Sequence, residues 1–88
     1  MVKLIIQIAG PETPCDKCKK TRKIIEELLE KTGYSAPIEH IVLTDKNTIE
    51  KYGVLKGPAV IINEVVVSEG EVPTPRHIEG ALKQILSS

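Results

Sequence analysis

The feature that most constrains this chain is a change of hydrophobic period between residues 9 and 18. Val2 to Ala9 is a largely β-branched apolar run of strand length, closed by Gly10-Pro11 and a second proline at Pro14. A run bounded in this way reads as a buried strand entering a loop. From Cys15 to Lys31 the spacing is helical, with Cys18, Thr21, Ile25, Leu28 and Thr32 on one face and Ile24 and Leu29 beside it. Gly33 supplies the C-terminal cap. Both cysteines of the chain therefore fall where a strand gives way to a helix.

The remaining segments extend this alternation. Pro37 opens a second strand through Leu43, and Thr44 or Asp45 caps a short helix that runs through Tyr52 and stops at Gly53. After Gly57-Pro58, Ala59 to Ile62 and Val65 to Ser68 form a hairpin about Asn63-Glu64. Glu64 stands where a two-residue loop prefers glycine. Gly70 and Pro73 mark a further loop, and Thr74 caps a last helix whose buried stripe is Ile78, Ala81, Leu82, Ile85 and Leu86. The expected fold is α/β, with a four-stranded mixed sheet in the order second, first, third, fourth strand and helices on both faces. A right-handed helical crossover makes the first two strands parallel, and the hairpin runs antiparallel to them.

Length and composition narrow the function. With 88 residues and no repeat or linker, residues 1–88 are expected to form one domain with a modest core. There is no Trp, no Phe and only two Tyr, so the core is aliphatic and base-stacking on aromatic platforms is not expected. Twelve Lys and Arg balance twelve Asp and Glu, leaving no global field to hold nucleic acid or an anionic membrane. The run Leu4 to Ala9 is too short to span a bilayer or act as an export signal. A cytoplasmic, reducing location and a monomeric state are expected, and there a lone Cys pair is more often catalytic or metal-binding than a staple.

Cys15-Asp16-Lys17-Cys18 has a definite chemical logic at a helix start. The thiolate is the attacking species, and a free cysteine near pKa ~8.5 is mostly protonated at neutral pH. Unsatisfied N–H groups and a partial positive charge at a helix N-terminus favour the thiolate of the first cysteine. Two intervening residues let the second reach back one turn, so Cys15 is the exposed attacker and Cys18 the more buried resolving thiol. Lys17, Lys19, Lys20, Arg22 and Lys23 crowd this end while Glu26, Glu27 and Glu30 follow, the wrong way round for the helix dipole. A basic collar that stabilises the thiolate is one explanation, opposed locally by Asp16; a solvated face with ion pairs such as Glu27 with Lys31 is the other.

Metal binding and a passive pair remain alternatives. Zinc would need ligands beyond the cysteines, and His40 and His77 sit on separate elements. Copper-chaperone domains also place such a pair after a first strand, but they end in a strand and usually carry a Met before the pair. A purely structural staple is weak, since closing so short a loop removes only roughly 2 kcal/mol of chain entropy. A redox-switched binding module is a third alternative.

Pro58 begins the third strand, where a missing N–H is tolerated. Together with the Cys pair, Tyr52-Gly53-Val54, Gly57-Pro58-Ala59-Val60-Ile61-Ile62-Asn63, and Val66-Val67-Ser68 leading to Gly70-Glu71-Val72-Pro73, it makes the chain resemble the thioredoxin-like superfamily over nearly its whole length. The likeness is greatest to the small glutaredoxin-like group of redox-active disulfide proteins. The resemblance implies a thiol-disulfide oxidoreductase with Cys15 as nucleophile, Cys18 as resolver and Pro58 as a cis-proline facing the pair. It implies that the backbone of Gly57 pairs with an extended substrate segment; the charges of Asp16 and Lys17 beside the pair are expected, from the helix-start electrostatics above, to tune the thiol. It also implies disulfide substrates, a dithiol reductant, and neither a metal nor an organic cofactor. No tryptophan precedes Cys15, and Ala9 stands about where thioredoxins keep a buried acid.

Overall fold

The registers of the sheet explain which residues are buried. In the computed structural model, which describes residues 4–11 and 16–86, the elements are β1 (Ile6–Gly10), α1 (Asp16–Thr32), β2 (Ile38–Val42), α2 (Lys46–Tyr52), β3 (Ala59–Ile62), β4 (Val65–Ser68) and α3 (Pro75–Leu86). The sheet order is β2-β1-β3-β4, with β1 parallel to β2 and antiparallel to β3, and β3 antiparallel to β4. Ile6 faces both Ile38 and Ile62 across its two neighbours, and Ala9 faces Ile41 and Ala59.

Successive side chains of a strand point to opposite faces. Ile6, Ile8, Val60 and Ile62 therefore share one face, where they form the main core with Ile25, Leu28 and Leu29 of α1 and Ile78 and Leu82 of α3. Ala9, Ala59 and Ile61 share the other, packed against Ile41, Leu43, Tyr52 and Leu55. All four residues of β3 are buried, as suits a central strand covered on both sides. Burying each large aliphatic side chain contributes roughly 1.5–3 kcal/mol, and no aromatic ring is needed.

One boundary and two buried stripes depart from the sequence reading. Paired strand in β1 starts at Ile6, and residues 1–3 lie outside the described residues. The Ile5 N–H donates to Asn63 Oδ1 at 2.8 Å and the Asn63 N–H to the Ile5 carbonyl at 2.9 Å, so a turn residue satisfies this end of the strand. In α1, Leu29 takes the buried place expected of Thr32, whose exposed hydroxyl donates to the Leu28 carbonyl at 2.9 Å. On α3 only Ile78 and Leu82 are fully buried; Ala81, Ile85 and Leu86 are half-buried, Ile85 and Leu86 packing against the edge of the main core.

The short α2 is held by its ends. Asp45 accepts from the Asn47 N–H at 2.8 Å, and the Gly53 N–H closes the last turn on the Ile49 carbonyl at 2.8 Å. Among the described residues no helix is long and apolar enough to cross a membrane.

Candidate functional site

Cys18 lies in the first turn of α1 and is 3% exposed. Its sulfur occupies the space above the last residue of β1: a Cβ on Gly10 would stand 2.5 Å from Cys18 Sγ. No larger residue fits at position 10 unless the sulfur moves. The loop before β3 closes on the same spot, since a Cβ on Gly57 would be 3.5 Å from the Gly10 Cα and the Ala9 carbonyl oxygen, and 2.5 Å from Leu43 Cδ1. Three segments distant in sequence thus meet at the C-terminal end of β1.

The Gly57–Pro58 peptide bond is cis. Pro58 is fully buried and Gly57 half-buried, so it is the Gly57 side of this bond that approaches the surface. The preceding residue is tied to the loop after β4: the Gly70 N–H donates to the Lys56 carbonyl at 2.9 Å and the Lys56 N–H to Glu69 Oε2 at 3.3 Å.

Cys15 lies outside the described residues. Asp16 and Lys17 are exposed in the first turn of α1, and Lys19, Lys20, Arg22 and Lys23 are exposed along it. The i,i+4 pair on this helix joins Arg22 Nε to Glu26 Oε1 at 3.0 Å, in place of the suggested Glu27 with Lys31. Thr21, buried beside Cys18, donates its hydroxyl to the Lys17 carbonyl at 2.8 Å, which satisfies the one polar group on that face.

Two residues that sequence reasoning does not connect with the redox chemistry belong to the site. Gly10 reads in the sequence as the break that ends the first strand. His40, which the sequence offers only as a remote zinc-ligand candidate, pairs with Ile8 in the parallel register and faces α1. Its parity with Ile38 was the available signal, because residues two apart on a strand share a face. His40 Cε1 lies 3.4 Å from the place a Gly10 Cβ would take, and Nε2 is 3.0 Å from the Pro11 carbonyl oxygen. A carbonyl only accepts, so Nε2 carries the hydrogen. A cavity of about 60 Å³ lies among Ile8, Cys18, Lys19, Arg22, Glu39 and His40.

Other candidates lie elsewhere. His77 Nε2 is 2.7 Å from the Val67 carbonyl oxygen and joins α3 to β4. Tyr52, at the end of α2, donates its hydroxyl to Gln7 Oε1 at 3.1 Å, and Tyr34 is exposed after α1. No group of three or more His, Cys, Asp and Glu side chains placed to hold a metal occurs among the described residues.

The sequence model of the thioredoxin domain family matches residues 4–83. A thioredoxin of Methanocaldococcus jannaschii is 34% identical over 85 residues, which cover 97% of this chain and 93% of the relative. A Staphylococcus aureus protein of unknown function superposes with a TM-score of 0.68 at 19% identity, over 99% of this chain and 94% of that one. A malaria-parasite thioredoxin-2, described as a component of the protein secretion machinery, gives 0.63 at 14% identity over 93% and 82%. The germline-specific thioredoxin Deadhead of Drosophila melanogaster gives 0.61 at 17% over 94% and 81%. The sheet order, the helices on both faces and these likenesses define a thioredoxin-like α/β protein. By its sequence match this chain belongs to the thioredoxin domain family, and that membership supports a role of the thiol-disulfide oxidoreductase kind.

Proposed function

We propose that this protein exchanges thiols and disulfides through Cys15 and Cys18. The observation that carries the reading is the seat of Cys18: a buried sulfur in the first turn of α1, against Gly10 and one backbone layer from Gly57–Pro58, in a chain of this family. Cys18 follows Cys15 by three positions in the sequence, the spacing that lets a resolving thiol close a disulfide with the attacking one.

In the proposed cycle the Cys15 thiolate attacks one sulfur of a substrate disulfide. The Cys15–substrate bond forms, the substrate disulfide breaks, and the first substrate thiolate leaves. The Cys18 thiolate then attacks Cys15 Sγ, the protein disulfide forms, and the second substrate thiolate is released. The substrate gains two electrons and the protein loses two; an external dithiol reverses this on the protein, and the same steps run backwards oxidise a dithiol substrate.

The helix N-terminus and the basic side chains along α1 favour the Cys15 thiolate, each pKa unit being about 1.4 kcal/mol, while Asp16 acts against them and Lys17 with them. The backbone at Gly57 receives an extended stretch of a protein substrate, which reads little sequence and suits a general exchange protein. Neither metal nor organic cofactor takes part, the substrates are protein or small-molecule disulfides, and the protein works as a cytoplasmic monomer.

Trapping tests this directly. With Cys18→Ser, mixed disulfides through Cys15 should accumulate in cell extract and vanish on adding dithiothreitol, while Cys15→Ser should form none. The opposite pattern reverses the two roles. If neither variant forms an adduct and the wild-type chain never gains a Cys15–Cys18 disulfide, the reading is wrong.

A further inference from the structure

We infer that His40 is the group that accepts the proton of the Cys18 thiol, through water in the small cavity beside it, when Cys18 resolves the mixed disulfide. The inference rests on the exchange reading and deepens it. A thiol that is 3% exposed is disfavoured as a thiolate by desolvation, yet only the thiolate attacks, so the resolving step needs a base within reach.

The neighbourhood leaves one candidate among the described residues. The position a Gly10 Cβ would take is 2.5 Å from Cys18 Sγ and 3.4 Å from His40 Cε1, so these two atoms are no more than 5.9 Å apart. Nδ1 is bonded to that ring carbon, which puts the imidazole edge within the reach of a short water bridge to the thiol. The cavity of about 60 Å³ that both residues line has room for it, since a single water needs roughly 10–15 Å³ by the same kind of measure. Of the other charged groups around that cavity, Lys19 and Arg22 are cations, and Arg22 is engaged by Glu26. Glu39, next to His40 on β2, belongs to the opposite face of the sheet, where its carboxylate accepts from Gln7 Nε2 at 3.4 Å. From the α2 side, Asp45 and Lys51 share a second groove with His40. β1 offers only Ile8 and Gly10.

The ring is also oriented for the task. With Nε2–H donating to the Pro11 carbonyl, Nδ1 holds the lone pair. The proton moves from Cys18 Sγ through water to Nδ1 as the Cys15–Cys18 bond forms, and the imidazolium then returns it to the departing substrate thiolate or to solvent. No net proton or electron is gained by His40.

The test follows the two steps separately with dithionitrobenzoate, whose thiolate absorbs visible light. The first equivalent released reports attack by Cys15 and the second reports resolution by Cys18. In His40→Gln the second phase should slow about 10- to 100-fold at neutral pH while the first stays within about threefold. The wild-type second phase should also show a dependence on pH that the variant lacks. An unchanged second phase and pH profile in His40→Gln overturn the assignment. A wild-type chain that releases no thiolate overturns the exchange reading itself, and the two failures are thus distinct. Should the variant fail to fold, NMR of the His40 ring in the wild-type protein decides: its signals should differ between the dithiol and disulfide forms. Identical signals reject the coupling.

Discussion

The two ends of β3 are both held by unusual local structure, but the constraint differs in kind. At the N-terminal end, Gly57, Pro58 and Ala59 meet the end of β1, and what is scarce is volume: the sites where Cβ atoms would stand on Gly10 and Gly57 are already taken by Cys18 Sγ and Leu43 Cδ1. At the C-terminal end, Asn63 and Glu64 turn the chain with φ of 48° and 68°, and what is scarce is backbone freedom. Positive φ at both central residues is the geometry of a tight hairpin turn, usually given to glycine. Asn63 tolerates it and also satisfies Ile5 with its side chain, whereas Glu64 is exposed and reaches Lys51 Nζ at 2.6 Å. Crowding by close approach concentrates where chemistry is expected, while conformational strain is tolerated at a polar tip far from it.

Substitutions can break this contrast. The largest effect should come from Ile62→Ala, which leaves a void at the hairpin end of β3 where the side chain is fully buried in the main core. A loss of about 2–5 kcal/mol by chemical denaturation is expected; a loss below 1 kcal/mol would mean that this core collapses around the gap. Next is Gly10→Ala, which forces Cys18 Sγ or the helix to move and should lower stability by about 1–3 kcal/mol. It should also make Cys18 more reactive to alkylating reagents. An unperturbed stability and labelling rate would show that position 10 has more room than the geometry allows.

The turn residue itself, in contrast to the core strand that leads into it, should respond with the opposite sign. Glu64→Gly relieves the left-handed residue at the expense of an exposed ion pair, so a net gain of roughly 0.5 kcal/mol is expected in thermal unfolding. A clear loss would mean that the Lys51–Glu64 contact outweighs the strain. The smallest effect concerns pH. Hydrogen bonding to Glu64 holds the Lys51 ammonium above its ordinary 10.5. A raised folded-state pKa stabilises the fold below pH 10.5 and loses that contribution as pH rises through the folded value. Glu64→Gln should therefore abolish a small part of the alkaline decline in melting temperature, and coincident curves for the two proteins would assign the contact no role.

The legibility of the sequence follows the same division. The strand-to-helix switch at the cysteines, the second strand, the capped α2 and the hairpin about Asn63-Glu64 were readable because each depends on neighbours in the chain: period, cap residue or turn residue. Asp45 before Lys46–Tyr52 and Gly53 after it are such local signals, and both take the expected places. The first turn of α1 was readable too, which put Cys18 on its buried face. The shared place of His40 and Gly10 beside the cysteine is not legible in the sequence, since it depends on what stands opposite them. A histidine in IEHIV carries no mark of facing a cysteine 22 positions earlier.

By itself the amino-acid order determined the elements, the sheet order and the family, because hydrophobic period and turn chemistry act over a few residues and topology rules leave few ways to join them. Only the tertiary structure decided that Cys18, Gly10, His40 and Gly57 share one small volume. Parallel pairing of β1 with β2 sets Ile8 against His40, and the return of the chain to β3 lays Gly57 over Gly10. Such meetings depend on register and on the absence of a single Cβ, quantities that exist only once the sheet has closed.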